Sequence, residues 1–105
     1  MGFGEIIIQK IENNNENINI GYYEISSYHF DIGKFYMCID KSTKIIKFFA
    51  RKDFNDDPIR IVDYNKNEKL GVLPGVPTKI FGIVLLRAFK ALKMDTFPES
   101  LSYAA

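Results

Sequence analysis

The chain has 105 residues, 47% of them apolar and 26% charged, with a formal net charge of +1. That length and composition describe one folded domain, residues 1–105, with a real core that needs no staples. The near-neutral total argues against a dedicated nucleic-acid binder, which is clearly basic, and the single cysteine, Cys38, excludes an internal disulfide framework.

Glu5 to Ile11 is rich in β-branched residues and reads as a strand. The polar run Glu12-Asn13-Asn14-Asn15-Glu16-Asn17 follows, and alternation resumes from Ile18 to Ile25, so the two strands are expected to form a hairpin. Ile18, Ile20 and Tyr22 share one face of the second strand; Asn19, Gly21 and Tyr23 share the other. Ser26 to Ile32 reads either as a further edge segment or as an ordered loop, punctuated by Gly33. Lys34 to Asp40 is a clear strand with Phe35, Met37 and Ile39 on one face. After a tight Lys41-Ser42-Thr43 connection, Lys44 to Arg51 places Ile46, Phe48 and Ala50 opposite a mixed face of Ile45, Lys47, Phe49 and Arg51. Lys52 to Pro58 is a charged turn, Ile59 to Tyr64 a short strand, and Leu70 to Val76 an irregular stretch broken by Gly71, Pro74 and Gly75.

The spacing of Phe81, Val84, Leu85, Ala88, Phe89 and Leu92 predicts an amphipathic helix over 77–93, with Pro77 in its first turn and Lys90 and Lys93 near its negative end. Ile83 and Leu86 fall on its polar side. They are expected either to lie under the C-terminal tail, with Leu101 and Tyr103, or to join an interface. Strands in series and a helix last make an α+β fold: an antiparallel sheet of about five strands with one C-terminal apolar helix packed on a face. The expected core is Ile6, Ile8, Ile20, Phe35, Met37, Ile46, Phe48, Ile61, Phe81, Leu85, Phe89 and Leu92.

The chemical motifs are sparse. His29 is the single imidazole; next to Asp31 it resembles an oriented base, but neither a nucleophile nor a metal set accompanies it, and it reads as a polar aromatic in a loop. Asp53, Asp56 and Asp57 lack the alternation and closing glutamate of a calcium loop and read as a solvated turn. Gly71 to Pro77 precedes a helix, yet its two prolines remove backbone donors and no Lys-Ser/Thr follows, so a phosphate loop is not expected. Catalytic residues, metal ligands and a cofactor are therefore all expected to be absent, and an enzyme is the least favoured class. Glu5 stands where a basic leader segment belongs, and the apolar run Ile80 to Leu86 is too short to span a bilayer, so a cytoplasmic protein without a membrane partner is expected.

Charge divides unevenly: residues 1–40 carry two bases and six acids, residues 41–105 twelve bases and seven acids. The first strands therefore offer an acidic face suited to a basic partner. A small chain rich in Ile, Asn and Lys, with the strand pair Lys34 to Asp40 and Lys44 to Arg51, the Gly71 to Pro77 loop and the Thr78 to Leu92 helix, resembles bacterial immunity proteins. More narrowly, it is similar to the immunity partners of contact-dependent growth-inhibition toxins. The resemblance implies a cytoplasmic protein that binds a cognate toxin, often a basic nuclease, and covers its active site. The expected contact residues are Tyr22, Glu24, Asp31, Asp53, Asp56 and Asp57. The alternative is a small nucleic-acid-binding module that stacks bases on Tyr22, Tyr23, Tyr28 and Tyr36 beside Lys34, Lys47 and Arg51.

Overall fold

A computed structural model describes residues 5–12, 18–27, 32–66 and 73–104. Five strands run in chain order: β1 (Glu5–Ile11), β2 (Ile20–Ser27), β3 (Phe35–Asp40), β4 (Ile45–Phe49) and β5 (Arg60–Asp63). Helix α1 (Thr78–Leu92) and a two-residue strand β6 (Tyr103–Ala104) complete the order. Every pairing is antiparallel, and the sheet order is β5-β4-β3-β2-β1-β6. The first five strands form a simple meander, and the α1 segment carries the chain back so that β6 lies beside β1. This is the expected α+β fold, with one short strand more than alternation foresaw.

Turn chemistry sets the register. Asp40 turns back on the β3–β4 connection, its carboxylate accepting from the Ser42 amide at 2.8 Å and the Thr43 amide at 3.3 Å. Before the helix, the Val76 amide donates to the Leu73 carbonyl at 3.0 Å across Pro74 and Gly75, and Gly75 has φ +79°. Pro followed by a glycine at positive φ is the composition of a type II turn. Pro77 precedes the helix as its cap, and its carbonyl accepts from the Phe81 amide at 3.0 Å. The Gly71 to Pro77 segment is thus a tight turn over its described part, 73–77.

One face of the sheet packs on α1. Ile6 and Ile8, Tyr23 and Ile25, Phe35, Met37 and Ile39, Ile46 and Phe48, and Val62 all point to it and are buried. Ile80, Phe81, Val84, Leu85, Ala88 and Ala91 meet them from the helix, and Phe48 and Phe81 touch edge to face with centroids 5.2 Å apart. The expected core is corrected at four places. Ile20 is only half-buried and lies on the opposite face, while its neighbours Tyr23 and Ile25 are the core residues of β2. Ile61 is 49% exposed, and Val62 carries the core position of β5. Phe89 and Leu92 pack against the core without being buried in it. Ile83 does the same, whereas Leu86 is 66% exposed.

The chain after α1 fills a gap that β2 leaves. Gly21 sits between core positions, and a Cβ there would come within 2.7 Å of the Phe97 ring. Phe97 takes the space instead, with the Lys41 ammonium 4.6 Å from its centroid. The same ammonium donates to the Met94 carbonyl. Tyr23 donates its hydroxyl to the Pro98 carbonyl at 2.7 Å, which satisfies an otherwise buried phenol. Residues 99–104 then run along β1. Lys10 donates to the Glu99 carbonyl at 2.8 Å, Leu101 donates to the Ile8 carbonyl at 2.9 Å, and the Ile8 amide finds the Ser102 hydroxyl at 3.0 Å.

Candidate functional site: the loop-capped sheet face

Among the described residues, the second face of the sheet carries no helix. Its rows follow from register: Gln9, Glu24, Tyr36 and Phe49 form one, and Ile11, Tyr22, Cys38, Lys47 and Ile61 the next. A third row runs Ile20, Asp40, Ile45 and Asp63. A face this apolar is not left open to water. Residues 50–59 fold back over it, and Phe54 is the anchor. Its ring lies 4.6 Å from Tyr22, 5.2 Å from Phe49 and 6.4 Å from Tyr36, centroid to centroid. Tyr22 is 8% exposed as a result.

The loop is held at its ends and within itself. Ile59 donates to the Phe48 carbonyl at 2.8 Å, and the Arg51 guanidinium holds the Asp56 carboxylate at 2.7 Å. That hydrogen bond keeps the Asp56 carboxyl below its ordinary pKa, helped by the Asp57 amide at 2.9 Å. Asp53 accepts from the Asn55 amide at 3.0 Å. All three loop acids remain exposed.

Between Phe54 and the β3–β4 turn lies an open groove of about 350 Å³. Ile20, Ile45 and Phe49 give it apolar walls, while Asp40 and Lys47 give it one charge of each sign. Cys38 lies in its floor. Burial pushes its thiol up to about 11, against the pull of Lys47 and with a small push from Asp40. Such a thiol is a packing group and not a nucleophile at neutral pH.

The expected contact residues fall out as follows. Glu24 is on this face, half-buried, 3.5 Å from the Lys34 ammonium. Asp53, Asp56 and Asp57 are on the loop that covers it. Tyr22 is on this face too, beneath Phe54, where it supports the loop. Asp31 lies outside the described residues, as do His29 and Tyr28. The stacking platform of the alternative reading is not formed by Tyr22 and Tyr23: Tyr22 is covered by Phe54 and Tyr23 is in the core on the other face. Of its bases, Lys34 pairs with Glu24 and Arg51 with Asp56, and Lys47 lines the groove.

Sequence reasoning missed Phe54. It sits in a run of charges and reads as part of a solvated turn. The available signal was its isolation: one large aromatic inside a polar loop needs somewhere to bury itself.

Among the described residues, no three His, Cys, Asp or Glu side chains stand together as a metal set, and no helix is long and apolar enough to cross a membrane. The site and fold define a class, an α+β domain with one face closed by a helix and the other by a loop. No known family, curated protein or solved structure matches this chain.

Proposed function

We propose that the protein is a cytoplasmic binding domain that docks a basic protein partner on its loop-capped face. In this reading it acts as an immunity protein that neutralises a cognate bacterial toxin, a nuclease, by covering its active site. The observation that carries the reading is the 50–59 loop. Phe54 pins it to the sheet, so Asp53, Asp56 and Asp57 stand exposed on a fixed platform instead of a loose turn. Fixed carboxylates opposite a basic surface speed encounter and set orientation, and a pre-ordered loop loses less entropy on docking. The action is steric and electrostatic; no group on this face is asked to do chemistry.

The test is recovery of partner from native lysate on tagged protein, with and without added nuclease, at low and at about 0.3 M salt. The expected result is one stoichiometric protein that survives nuclease, is lost from the double variant Asp53→Lys/Asp57→Lys, and has a toxic activity that the wild-type chain blocks. Recovery of nucleic acid that vanishes with nuclease and with salt would overturn it.

A further inference from the structure

The groove beside Phe54 holds charge that the protein does not use. Two hydrogen bonds, from the Ser42 amide at 2.8 Å and the Thr43 amide at 3.3 Å, fix Asp40 Oδ1 at the β3–β4 turn. The other carboxylate oxygen, Oδ2, has no hydrogen bond among the described residues. The Lys47 ammonium has neither a hydrogen bond nor an ion pair among them. The two groups do not find each other. Asp40 lies opposite Ile45 and Lys47 opposite Cys38, so they are diagonal neighbours on β3 and β4, roughly 7–8 Å apart at the backbone. The turn amides hold the carboxylate at its own end of that span.

Both charges act into the groove. Each bears on the Cys38 thiol in its floor, Lys47 lowering the thiol's pKa and Asp40 raising it. Around them the lining is apolar, with Ile20, Ile45 and the rings of Phe49 and Phe54. The volume, about 350 Å³, falls at the low end of the range of small-molecule sites, roughly 300–1,000 Å³. Phe54 is braced by Tyr22 and Phe49, so this wall stands before any ligand arrives. A ligand with a single charge satisfies one of the two groups and is opposed by the other. A wholly apolar ligand strips water from both and replaces it with nothing. A molecule with both charges close together and an apolar arm satisfies Asp40, Lys47 and the rings at once.

We propose that this groove binds a small zwitterion with an apolar arm, a free α-amino acid of the leucine or phenylalanine type. Its ammonium meets Asp40 Oδ2, its carboxylate meets the Lys47 ammonium, and its side chain lies against Phe49 and Phe54. One carbon separates the two charges of an α-amino acid. With one charge-assisted hydrogen bond at each end, that pair bridges the diagonal that Asp40 and Lys47 leave open. A side chain inserted by a protein partner brings one charge at most, so the occupant is the free molecule. The site involves none of Asp53, Asp56 and Asp57, and it does not depend on a protein partner.

The probe is L-phenylalanine, titrated into ¹⁵N-labelled full-length protein at about pH 6, where its α-amino group is protonated. Saturable shifts should centre on Ile20, Cys38, Ile45, Lys47 and Asn55, with a dissociation constant on the order of 1 mM or below. N-acetylphenylalanine lacks the ammonium and phenylalanine amide lacks the carboxylate; each should bind about tenfold more weakly. Glycine lacks the arm and should bind at least about tenfold more weakly as well. Two variants separate recognition from folding. Lys47→Met keeps the apolar stem of an exposed side chain; it should weaken L-phenylalanine about tenfold and leave phenylalanine amide unweakened. Asp40→Asn keeps an oxygen for the turn amides; it should weaken L-phenylalanine to a similar degree and leave N-acetylphenylalanine unweakened. Absence of saturable shifts in the groove would overturn the proposal. So would a blocked form that binds as tightly as the free amino acid, since the occupant would then be a simple anion or cation. Unchanged L-phenylalanine binding in either variant would overturn it too.

Discussion

Cys38 shows how one side chain reports on the face it lies in. Its folded thiol titrates near 11, above the unfolded value of about 8.5, because burial disfavours the thiolate. A group raised on folding contributes stability that is complete below its unfolded pKa and disappears as pH climbs through the folded one. Stability should thus fall from about pH 8.5 to about 11, and Cys38→Ala should flatten that part of the curve, read by denaturant unfolding at stepped pH. Iodoacetamide at pH 8 should modify the folded thiol at least about tenfold more slowly than the unfolded chain. Gly21 is the second informative residue. Adding one methyl puts a carbon 2.7 Å from the Phe97 ring, and that ring is confined by Lys41 and the core. Gly21→Ala should cost about 1–3 kcal/mol in chemical denaturation, and combining it with Phe97→Leu should recover part of the loss by vacating the ring's edge.

At the scale of elements, the loop 50–59 is the unusual one, since it acts as a layer. Phe54→Ala removes the ring that covers Tyr22, Tyr36 and Phe49. Because Phe54 is only half-buried, the expected loss is about 1–3 kcal/mol, below the range for a full core phenylalanine. The same variant should bind more of a hydrophobic dye in its native state. The loop also explains which elements could be read from the chain. β3 and β4 were legible to the face, because Phe35, Met37 and Ile39, and then Ile46 and Phe48, alternate with partly polar neighbours. The helix was legible because its stripe runs over three turns. β2 was not: Tyr22 and Tyr23 are both buried, one under Phe54 and one under the helix. With apolar groups on both sides, alternation carries no information about which side is the core. β5 failed for the opposite reason. At an edge, Ile59 and Ile61 stay exposed while Val62 is the core residue, so the more hydrophobic positions mislead. Of the candidate site, the acids were visible as charges, but their assembly depends on Phe54, and that is a contact between residues far apart in sequence.

For the whole molecule, the sheet is closed on one side by its own tail. Residues 99–104 satisfy the Ile8 and Lys10 amides, and Leu101 is buried in the core. Deleting the chain from Glu99 onward should therefore remove a core side chain and bare a β1 edge of Ile6, Ile7 and Ile8. The expected outcome is a midpoint lowered by several degrees together with self-association by sedimentation, since an open apolar edge templates another strand. Substituting Ser102 with Ala should cost about 1 kcal/mol, because it leaves the Ile8 amide without its acceptor.

That clasp has a consequence for how the chain comes into being. β1 is made first, yet the hydroxyl that completes its hydrogen bonding lies 94 positions downstream. The meander β1 to β5 consists of neighbours in sequence and can zip up as it emerges, each hairpin closing a short loop. The final pairing closes nearly the whole chain into a ring. During synthesis β1 therefore waits longest of these strands for its partner, with three isoleucines on an unguarded margin, and the polar run Glu12 to Asn17 directly after it places soluble residues next to that stretch.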